Sequence, residues 1–215
     1  MPADAELWVL RHGESTANVQ GLIVSLPGPR ALTEVGLTAT GRAQARDAAE
    51  AARAQGLGPD TLVISSDFAR ARETAEVFAA QLDAGPVRID QRLRERRFGI
   101  HDEGPASAYE TVWEADRARR TPEGDVEPVP EVAARVCAAI TDAARSAAPS
   151  SAASPSAAAQ VVLVAHGDIL QIALALGEGR DPHDHREVAH LGNAELRRLG
   201  PHRPGSHRPG DPAAT

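Results

Sequence analysis

Short runs of consecutive apolar residues predict buried β-strands in three parts of the chain. These runs span residues 7–10, 62–64 and 161–164. None of them alternates with polar residues, as is typical of strands that are buried on both faces of a parallel sheet. A weaker run at 87–89 indicates a strand nearer the sheet edge, and residues 194–199 indicate one late strand.

Alanine-rich segments between the apolar runs predict helices. They span residues 39–55, 67–82, 109–119, 131–145 and 168–176. Strands that alternate with helices are typical of layered α/β proteins. The sequence therefore predicts a three-layer α/β/α sandwich with a mainly parallel central sheet.

The length and apolar content of the chain predict one domain with a substantial core. The chain has 215 residues, of which 42% are hydrophobic, and that is enough to bury such a core. We predict that residues 1–200 form this single domain. Residues 146–159 are almost entirely Ser, Ala and Pro, which predicts a flexible insertion. Residues 201–215 contain a repeated His-Arg-Pro-Gly, and their composition predicts a disordered tail.

The charged and sulfur-containing residues exclude several classes of chemistry. Thirty acidic residues against 23 basic ones give a net charge of −7, and every basic residue is Arg. Without Lys, the chain has no Schiff-base lysine and no Walker-type phosphate-binding lysine. Its single cysteine, Cys137, excludes an internal disulfide and a cysteine-rich zinc site. The acidity and the low aromatic content of 3% argue against a nucleic-acid partner.

The chain shows no sign of targeting to a membrane. Its first residues are acidic, with no basic segment followed by an apolar one, so a signal peptide is not expected. The longest apolar runs are far shorter than the ~20 residues that a membrane-spanning helix needs. We therefore expect a soluble, cytoplasmic protein with no membrane partner.

The predicted strands deliver histidine and arginine side chains to one edge of the sheet. The first strand is followed by Arg-His-Gly-Glu at 11–14, and the last buried strand by His-Gly-Asp at 166–168. The middle strand leads into a helix with Arg70 in its first turn. Open α/β sheets bind ligands at the carboxyl ends of their strands. These residues therefore predict a ligand site at that edge.

The residue types at this edge fit a phosphate group with a nucleophile beside it. Two guanidinium groups, Arg11 and Arg70, suit bidentate contacts with phosphoryl oxygens and offset a dianion. A helix that starts near residue 168 would direct its free N–H groups at the same anion. A neutral imidazole such as His12 can attack phosphorus and form a phosphohistidine that water later hydrolyses. Nearby cations keep such an imidazole neutral because they lower its pKa.

Five sequence blocks, in the same order, resemble the histidine phosphatase superfamily, also called the phosphoglycerate mutase-like family. The resemblance covers residues 6–199 and implies that family's α/β sandwich fold. The blocks are Arg-His-Gly-Glu-Ser at 11–15 with Asn18; Ser66, Arg70, Ala71, Thr74 and Ala75; Leu93, Glu95, Phe98 and Gly99; Glu127, Val132 and Arg135; and Val-Ala-His-Gly at 164–167.

The resemblance implies a role for each matching residue. His12 would be the nucleophile, and Glu95 would protonate the leaving oxygen and then take a proton from water. Three residues would hold the phosphoryl group, with two helpers: Arg11, Arg70 and the catalytic His166, assisted by Asn18 and Gly167. The resemblance implies no metal and no cofactor, because the arginines neutralise the charge that a cation would otherwise offset.

Three other carboxyl groups compete with Glu95 for the role of proton donor. The family often continues Phe-Gly-x-Trp-Glu-Gly, whereas this chain has one extra residue after Gly99, which leaves Asp102 and Glu103 as candidates. Asp168 follows the second His-Gly pair directly and is a further candidate. The position of Glu95 in its motif favours Glu95.

We expect a phosphatase that acts on a small phosphorylated molecule, and two alternatives stay open. The first is a cofactor-dependent mutase. Residues 16–25 lack the aromatic-rich stretch of such mutases, and the segment best suited to cover the pocket, 99–130, is rich in charge, Pro and Gly. A mutase needs a dry pocket to protect its phosphoryl group from water. The second alternative is a non-catalytic module that binds a phosphorylated ligand.

Several other polar residues are interpreted as structural. Residues 92–97 carry four arginines (Arg92, Arg94, Arg96 and Arg97) that are interpreted as a solvated basic face. Residues 181–185 hold two Asp and two His without the spacing of a metal site. Ser66 is expected to cap a helix that begins at Asp67.

Overall fold

Five β-strands build one sheet close to the predicted positions. The computed structural model describes residues 5–147 and 159–200. The strands are β1 (Glu6–Arg11), β2 (Leu62–Ser65), β3 (Arg88–Ile89), β4 (Gln160–Ala165) and β5 (Leu196–Arg198). Their order across the sheet is β3-β2-β4-β1-β5. The first four strands run parallel, and β5 pairs antiparallel with β1 at the edge.

Within the described residues, six α-helices connect these strands. They are α1 (Thr16–Gln20), α2 (Ala39–Ala54), α3 (Ala69–Leu82), α4 (Ala108–Arg117), α5 (Val129–Ala147) and α6 (Gly167–Gly177). Short 3₁₀ segments span Gln91–Leu93, Gly99–His101 and Pro182–Glu187, and a π-helical turn spans Arg30–Glu34. Within the described ranges, no helix combines the length and apolar character that a membrane crossing requires.

The two faces of the sheet support two separate cores. Successive side chains of a strand point to opposite faces, and β1 follows this rule. Leu7 and Val9 pack with α5 and α6, whereas Trp8 and Leu10 pack with α2 and α3. The three-layer α/β/α sandwich predicted from the sequence is therefore confirmed.

The sheet register brings the ends of three strands together. Arg11 at the end of β1 pairs with Ala165 at the end of β4, and Ser65 at the end of β2 pairs with Val164. Because the three strands are parallel, the residues that follow them leave the sheet at the same edge. The His-Gly turns after β1 and β4 are thus neighbours in space.

Part of the predicted organisation lies outside the described residues. This applies to the predicted tail at 201–215 and to residues 148–158 of the predicted insertion. The insertion was predicted to begin at Ser146, but Ser146 and Ala147 are the last residues of α5. Alanine and its neighbours sustain helical geometry there, so the helix continues two residues beyond its predicted end at Arg145.

The turn after β1 packs directly on the first turn of α2. A Cβ atom at Gly13 would lie 2.4 Å from the carbonyl oxygen of Gly41, and one at Gly41 would lie 2.1 Å from that of Glu14. The Gly13 amide donates to Thr74 Oγ1 at 3.0 Å, and the Glu14 amide donates to Gln44 Oε1 at 2.8 Å. Glycine is required on both sides of this contact, which fixes the backbone next to His12.

We predict that Gly41→Ala lowers the free energy of unfolding by about 1–3 kcal/mol, because the added methyl group would meet backbone that cannot move aside. Helix propensity alone predicts the opposite, a gain of up to ~1 kcal/mol. Urea denaturation measures the difference. Gly85→Ala is the matched control, since a Cβ atom there meets nothing within 4 Å. A Gly41→Ala protein as stable as wild type would contradict the packing described above.

Candidate active site

A cavity of about 260 Å³ lies at the carboxyl edge of the sheet. Six of the seven residues that the sequence singled out line it: Arg11, His12, Asn18, Arg70, Glu95 and Gly167. The seventh, His166, is fully buried beside it, with its ring centroid 5.3 Å from that of His12. Residues 21–24 and helix α4 form further parts of the wall.

His12 is held in one tautomer by contacts on both ring nitrogens. Its Nδ1 lies 2.8 Å from the Gly13 carbonyl oxygen, which can only accept, so Nδ1 carries the proton. Its Nε2 lies 3.2 Å from Nε of Arg70, which can only donate, so Nε2 keeps its lone pair. Burial, followed by the charges of Arg70 and Arg11, lowers the pKa of His12 well below its usual 6.5. The imidazole is therefore neutral, with its basic nitrogen at the cavity.

His166 is positioned by the hydroxyl group of Ser66. The His166 Nε2 lies 3.0 Å from Ser66 Oγ, and that oxygen also accepts the Phe68 amide at 3.2 Å. The Nδ1 atom of His166 is buried and has no hydrogen-bond partner among the described residues. Burial and the charge of Arg70 lower the pKa of His166 well below 6.5.

The expectation that Ser66 caps a helix beginning at Asp67 is wrong. Helix α3 begins two residues later, at Ala69, and no side chain caps it. The Ser66 hydroxyl oxygen accepts the amide of Phe68, which lies ahead of the helix, and the hydroxyl group also forms a hydrogen bond with His166. The serine thus orients a buried imidazole rather than terminating a helix.

Two arginines flank His12 and retain unused N–H groups. Arg11 donates through Nη1 to the Leu191 carbonyl at 2.6 Å, and Arg70 donates through Nη2 to the Val24 carbonyl at 2.9 Å. Arg11 Nε and Arg70 Nη1 are buried and have no partner among the described residues. Burial lowers the pKa of both groups. The Ser66 oxygen already accepts the Phe68 amide, so its O–H can donate to His166 Nε2, and the proton of His166 then lies on Nδ1. In that tautomer Arg11 Nε, Arg70 Nη1 and His166 Nδ1 are three donors without an acceptor among the described residues.

Asn18 and Gly167 complete the part of the wall that faces this group. The Asn18 carbonyl oxygen accepts the Ser15 amide at 3.0 Å and caps α1, so the amide NH₂ is the part left for a ligand. Gly167 is the first residue of α6, whose cap residue His166 forms no side-chain cap bond. A Cβ atom at Gly167 would lie 3.5 Å from Arg11 Nε, an ordinary contact, so the close backbone approach that requires glycine at Gly13 is absent at Gly167.

Glu95 is the carboxyl group in the cavity that can retain a proton. It is buried, and its Oε1 accepts the Arg96 amide at 2.9 Å. Burial, followed by the charge of Asp168, raises the pKa of Glu95 to about 7, although Arg70 and Arg11 oppose the shift. Near neutral pH this group can therefore either give or take a proton.

The three rival carboxyl groups are engaged elsewhere. Asp102 accepts the Ser25 hydroxyl at 2.7 Å and fixes the loop after α1, and Glu103 forms an exposed pair with Arg30. Neither lines the cavity. Asp168 does line it, but the hydrogen bonds and charges of His185 and Arg96 hold its pKa below the ordinary value even though burial opposes this. Asp168 therefore stays ionised.

A buried ion network anchors the segment that carries Glu95. Arg96 is fully buried and donates to Asp116 of α4 at 2.6 and 2.9 Å and to Asp168 of α6 at 3.1 Å. His185 Nε2 lies 3.3 Å from Asp168 Oδ1. Arg96 directly follows Glu95, so the network links the position of Glu95 to both helices.

The interpretation of residues 92–97 as a solvated basic face is wrong for Arg96 and incomplete for the others. Arg96 is buried because it pairs with two buried aspartates. The other three each pair with a carboxylate: Arg92 with Asp90 and Asp142, Arg94 with Asp67, and Arg97 with Asp125. The sequence shows the charges but not the partners, which are mostly remote in the chain.

The acidic and histidine residues at 181–185 have structural partners. Asp181 accepts the His183 amide at 2.9 Å, Asp184 pairs with Arg119 at 2.8 Å, and His185 belongs to the buried network. Within residues 5–147 and 159–200, no group of three or more His, Cys, Asp or Glu residues could hold a metal ion.

The part of the cavity wall formed by Tyr109, Trp113 and Arg186 consists of residues that the sequence analysis missed. Trp113 of α4 donates to Asp168 Oδ1 at 2.8 Å, and the guanidinium group of Arg186 lies 3.6 Å from the centre of its ring. Tyr109 stacks on Trp113, with ring centroids 5.3 Å apart. No motif marks these residues, because α4 and the segment 182–187 meet only in the folded chain.

Comparison with known proteins agrees with this geometry. The sequence profile of the histidine phosphatase superfamily (branch 1) matches residues 7–207. The chain is 30% identical over 204 residues to the probable phosphoglycerate mutase GpmB of Yersinia enterocolitica, covering 90% of this chain and 84% of that protein. Among solved structures, mycobacterial hydrolase 1 superimposes with a TM-score of 0.74 at 28% identity, covering 94% of this chain and 92% of that one.

A second solved structure, the mycobacterial glucosyl-3-phosphoglycerate phosphatase, superimposes with a TM-score of 0.69 at 28% identity. It covers 89% of this chain and 88% of that one. The family profile spans most of the chain and includes all of the sequence blocks quoted above. The resemblance inferred from those blocks is confirmed, and the chain belongs to the histidine phosphatase superfamily.

Proposed function

We propose that this protein is a metal-independent phosphatase that hydrolyses a small phosphomonoester through a phosphohistidine on His12. One observation carries the proposal: the unprotonated Nε2 of His12 lies among three unused donors, with a carboxyl group of raised pKa in the same cavity. The donors fit phosphoryl oxygens, and the arginines offset the charge of a dianion.

In the first step, the Nε2 lone pair of His12 attacks phosphorus while the bond from phosphorus to the leaving oxygen breaks. The leaving oxygen takes the proton of Glu95, so the product is a neutral alcohol. Nδ1 keeps its proton, and its bond to the Gly13 carbonyl stabilises the positive charge that develops on the ring. Arg11, Arg70 and His166 donate to the phosphoryl oxygens, assisted by Asn18 and the N–H groups at the start of α6.

In the second step, Glu95 acts as a base. Its carboxylate takes a proton from water, the water oxygen bonds to phosphorus, and the bond between phosphorus and Nε2 breaks. Inorganic phosphate leaves, His12 regains its lone pair and Glu95 regains its proton. A carboxyl group with a pKa near the working pH is suited to both steps.

A mutase is the second candidate, and the similarity to the probable phosphoglycerate mutase of Yersinia enterocolitica favours it. A mutase would use the same first step but return the phosphoryl group to a second hydroxyl group. The likeness to the mycobacterial hydrolase and phosphatase structures favours hydrolysis. Product analysis separates the two, because only hydrolysis releases inorganic phosphate in proportion to the substrate consumed.

We expect His12→Ala to lower the rate of p-nitrophenyl phosphate hydrolysis by at least ~10³-fold, because the nucleophile is lost. The assay is run in EDTA, and wild-type activity should survive the chelator. His183→Ala is the control, since His183 lies outside the cavity and bonds Asp181. Equal rates for wild type and His12→Ala would remove His12 from the mechanism, and loss of wild-type activity in EDTA would contradict metal independence.

Glu95→Gln should affect the two steps differently. Nitrophenolate leaves without a proton, so the variant should release a burst of p-nitrophenol equal to the enzyme concentration and then turn over slowly. An alkyl phosphate needs the proton of Glu95 and should give no burst. Rapid-mixing absorbance and phosphate assays measure both. Glu103→Gln is the control, and a burst-free Glu95→Gln with normal turnover would exclude Glu95 as acid and base.

The pH dependence follows from the raised pKa of Glu95. The first step uses protonated Glu95, so kcat/KM for an alkyl phosphate should fall as pH rises through about 7. For p-nitrophenyl phosphate the fall should be shallower, because its leaving group needs no acid. A profile that stays flat to well above pH 8 for the alkyl phosphate would contradict the assignment.

A further inference from the structure

Three arginines in the described part of the chain are at least partly buried and have no carboxylate within 4 Å: Arg11, Arg70 and Arg186. Every other partly buried arginine there has such a partner. All three of these arginines line the same cavity. Arg11 and Arg70 flank the nucleophile, whereas Arg186 lies against Trp113 of α4 and has no part in the steps above.

Arg186 is held rigidly. Its Nη1 donates to the Gln171 side-chain oxygen, and the buried Gln171 is itself fixed by its bond to the Val188 carbonyl at 3.1 Å. The guanidinium plane rests on the ring of Trp113, and Trp113 is fixed by Asp168. A guanidinium group with so little freedom loses little entropy when it binds a ligand.

The charge of Arg186 is not neutralised by its surroundings. Asp168, which accepts a hydrogen bond from Trp113 beside Arg186, already belongs to the network with Arg96 and His185. Glu110 of α4 is paired with Arg117 at 2.6 Å. A half-buried cation without a counterion is costly unless a ligand supplies one.

We propose that Arg186 binds a carboxylate on the alcohol part of the substrate, so that the substrate is a small phosphomonoester that also carries a carboxylate. This inference rests on the proposed function. With Nη1 used by Gln171 and one face covered by Trp113, the remaining N–H edge suits bidentate contact with a single carboxylate. A second phosphate group at this position would carry up to two negative charges, one more than the single guanidinium group can neutralise.

The size and surface of the cavity agree with this substrate class. A volume of about 260 Å³ leaves little space beyond a phosphoryl group and a short carbon chain. The Trp113 ring is covered by Arg186 on one face and also stacks on Tyr109, so it offers little surface for a sugar ring. Recognition at this wall is therefore electrostatic.

The test uses two substrates that differ only in the charged group: 3-phosphoglycerate and glycerol 3-phosphate, in which a hydroxymethyl group replaces the carboxylate. Wild type should favour 3-phosphoglycerate in kcat/KM by about 10- to 100-fold, the range for a charged hydrogen bond. Arg186→Gln should bring this ratio close to one, mainly through KM. Arg180→Gln is the matched control, because Arg180 is exposed and paired with Glu178 and Glu187.

Equal kcat/KM values of wild type for the two substrates would overturn the role of Arg186, whatever the variants do. So would an Arg186→Gln protein that is folded by circular dichroism and keeps the full preference. Failure of the proposed function looks different, because wild type would then hydrolyse neither substrate nor p-nitrophenyl phosphate. If Arg186→Gln does not fold, the kcat/KM values of wild type for the two substrates still test whether the protein prefers a carboxylate.

Discussion

The proposed chemistry depends on a histidine that stays neutral because it is buried beside two cations. The basic nitrogen of His12 would be useless if it were protonated, and burial beside Arg70 and Arg11 lowers its pKa well below 6.5. The same arginines make the cavity attractive to a dianion. In the proposed mechanism, one arrangement of charge thus keeps the nucleophile available and supplies binding energy for a phosphorylated substrate.

The second constraint is the placement of a carboxyl group that can keep a proton beside those cations. Two arginines alone would favour an ionised Glu95, but burial and the fixed negative charge of Asp168 outweigh them. Asp168 can carry that charge in the interior because Arg96 pairs with it and His185 Nε2 lies 3.3 Å from its Oδ1. The ion network is therefore more than a support for α4: it holds Glu95 in place and it sets the potential that Glu95 experiences.

The residues next to the strand ends were predictable from the sequence, and those across the cavity were not. Arg11, His12, Arg70 and His166 follow from unbroken apolar runs and the rule that ligands bind at the carboxyl ends of parallel strands. Trp113 and Arg186 come from a helix and a 3₁₀ segment whose packing no local pattern specifies. Arg96 was visible as a charge but misread, because its aspartate partners lie 20 and 72 residues away in sequence.

A crystal structure with vanadate bound tests the central claim most directly, because vanadate adopts the geometry of a phosphoryl group in transfer. We predict vanadium bonded to Nε2 of His12, with vanadate oxygens within hydrogen-bond distance of Arg11 Nε, Arg70 Nη1 and His166 Nδ1. We also predict that Arg70 Nε no longer bonds that nitrogen. Vanadate bound in the cavity without a bond to His12, or with those three donors turned away, would contradict it.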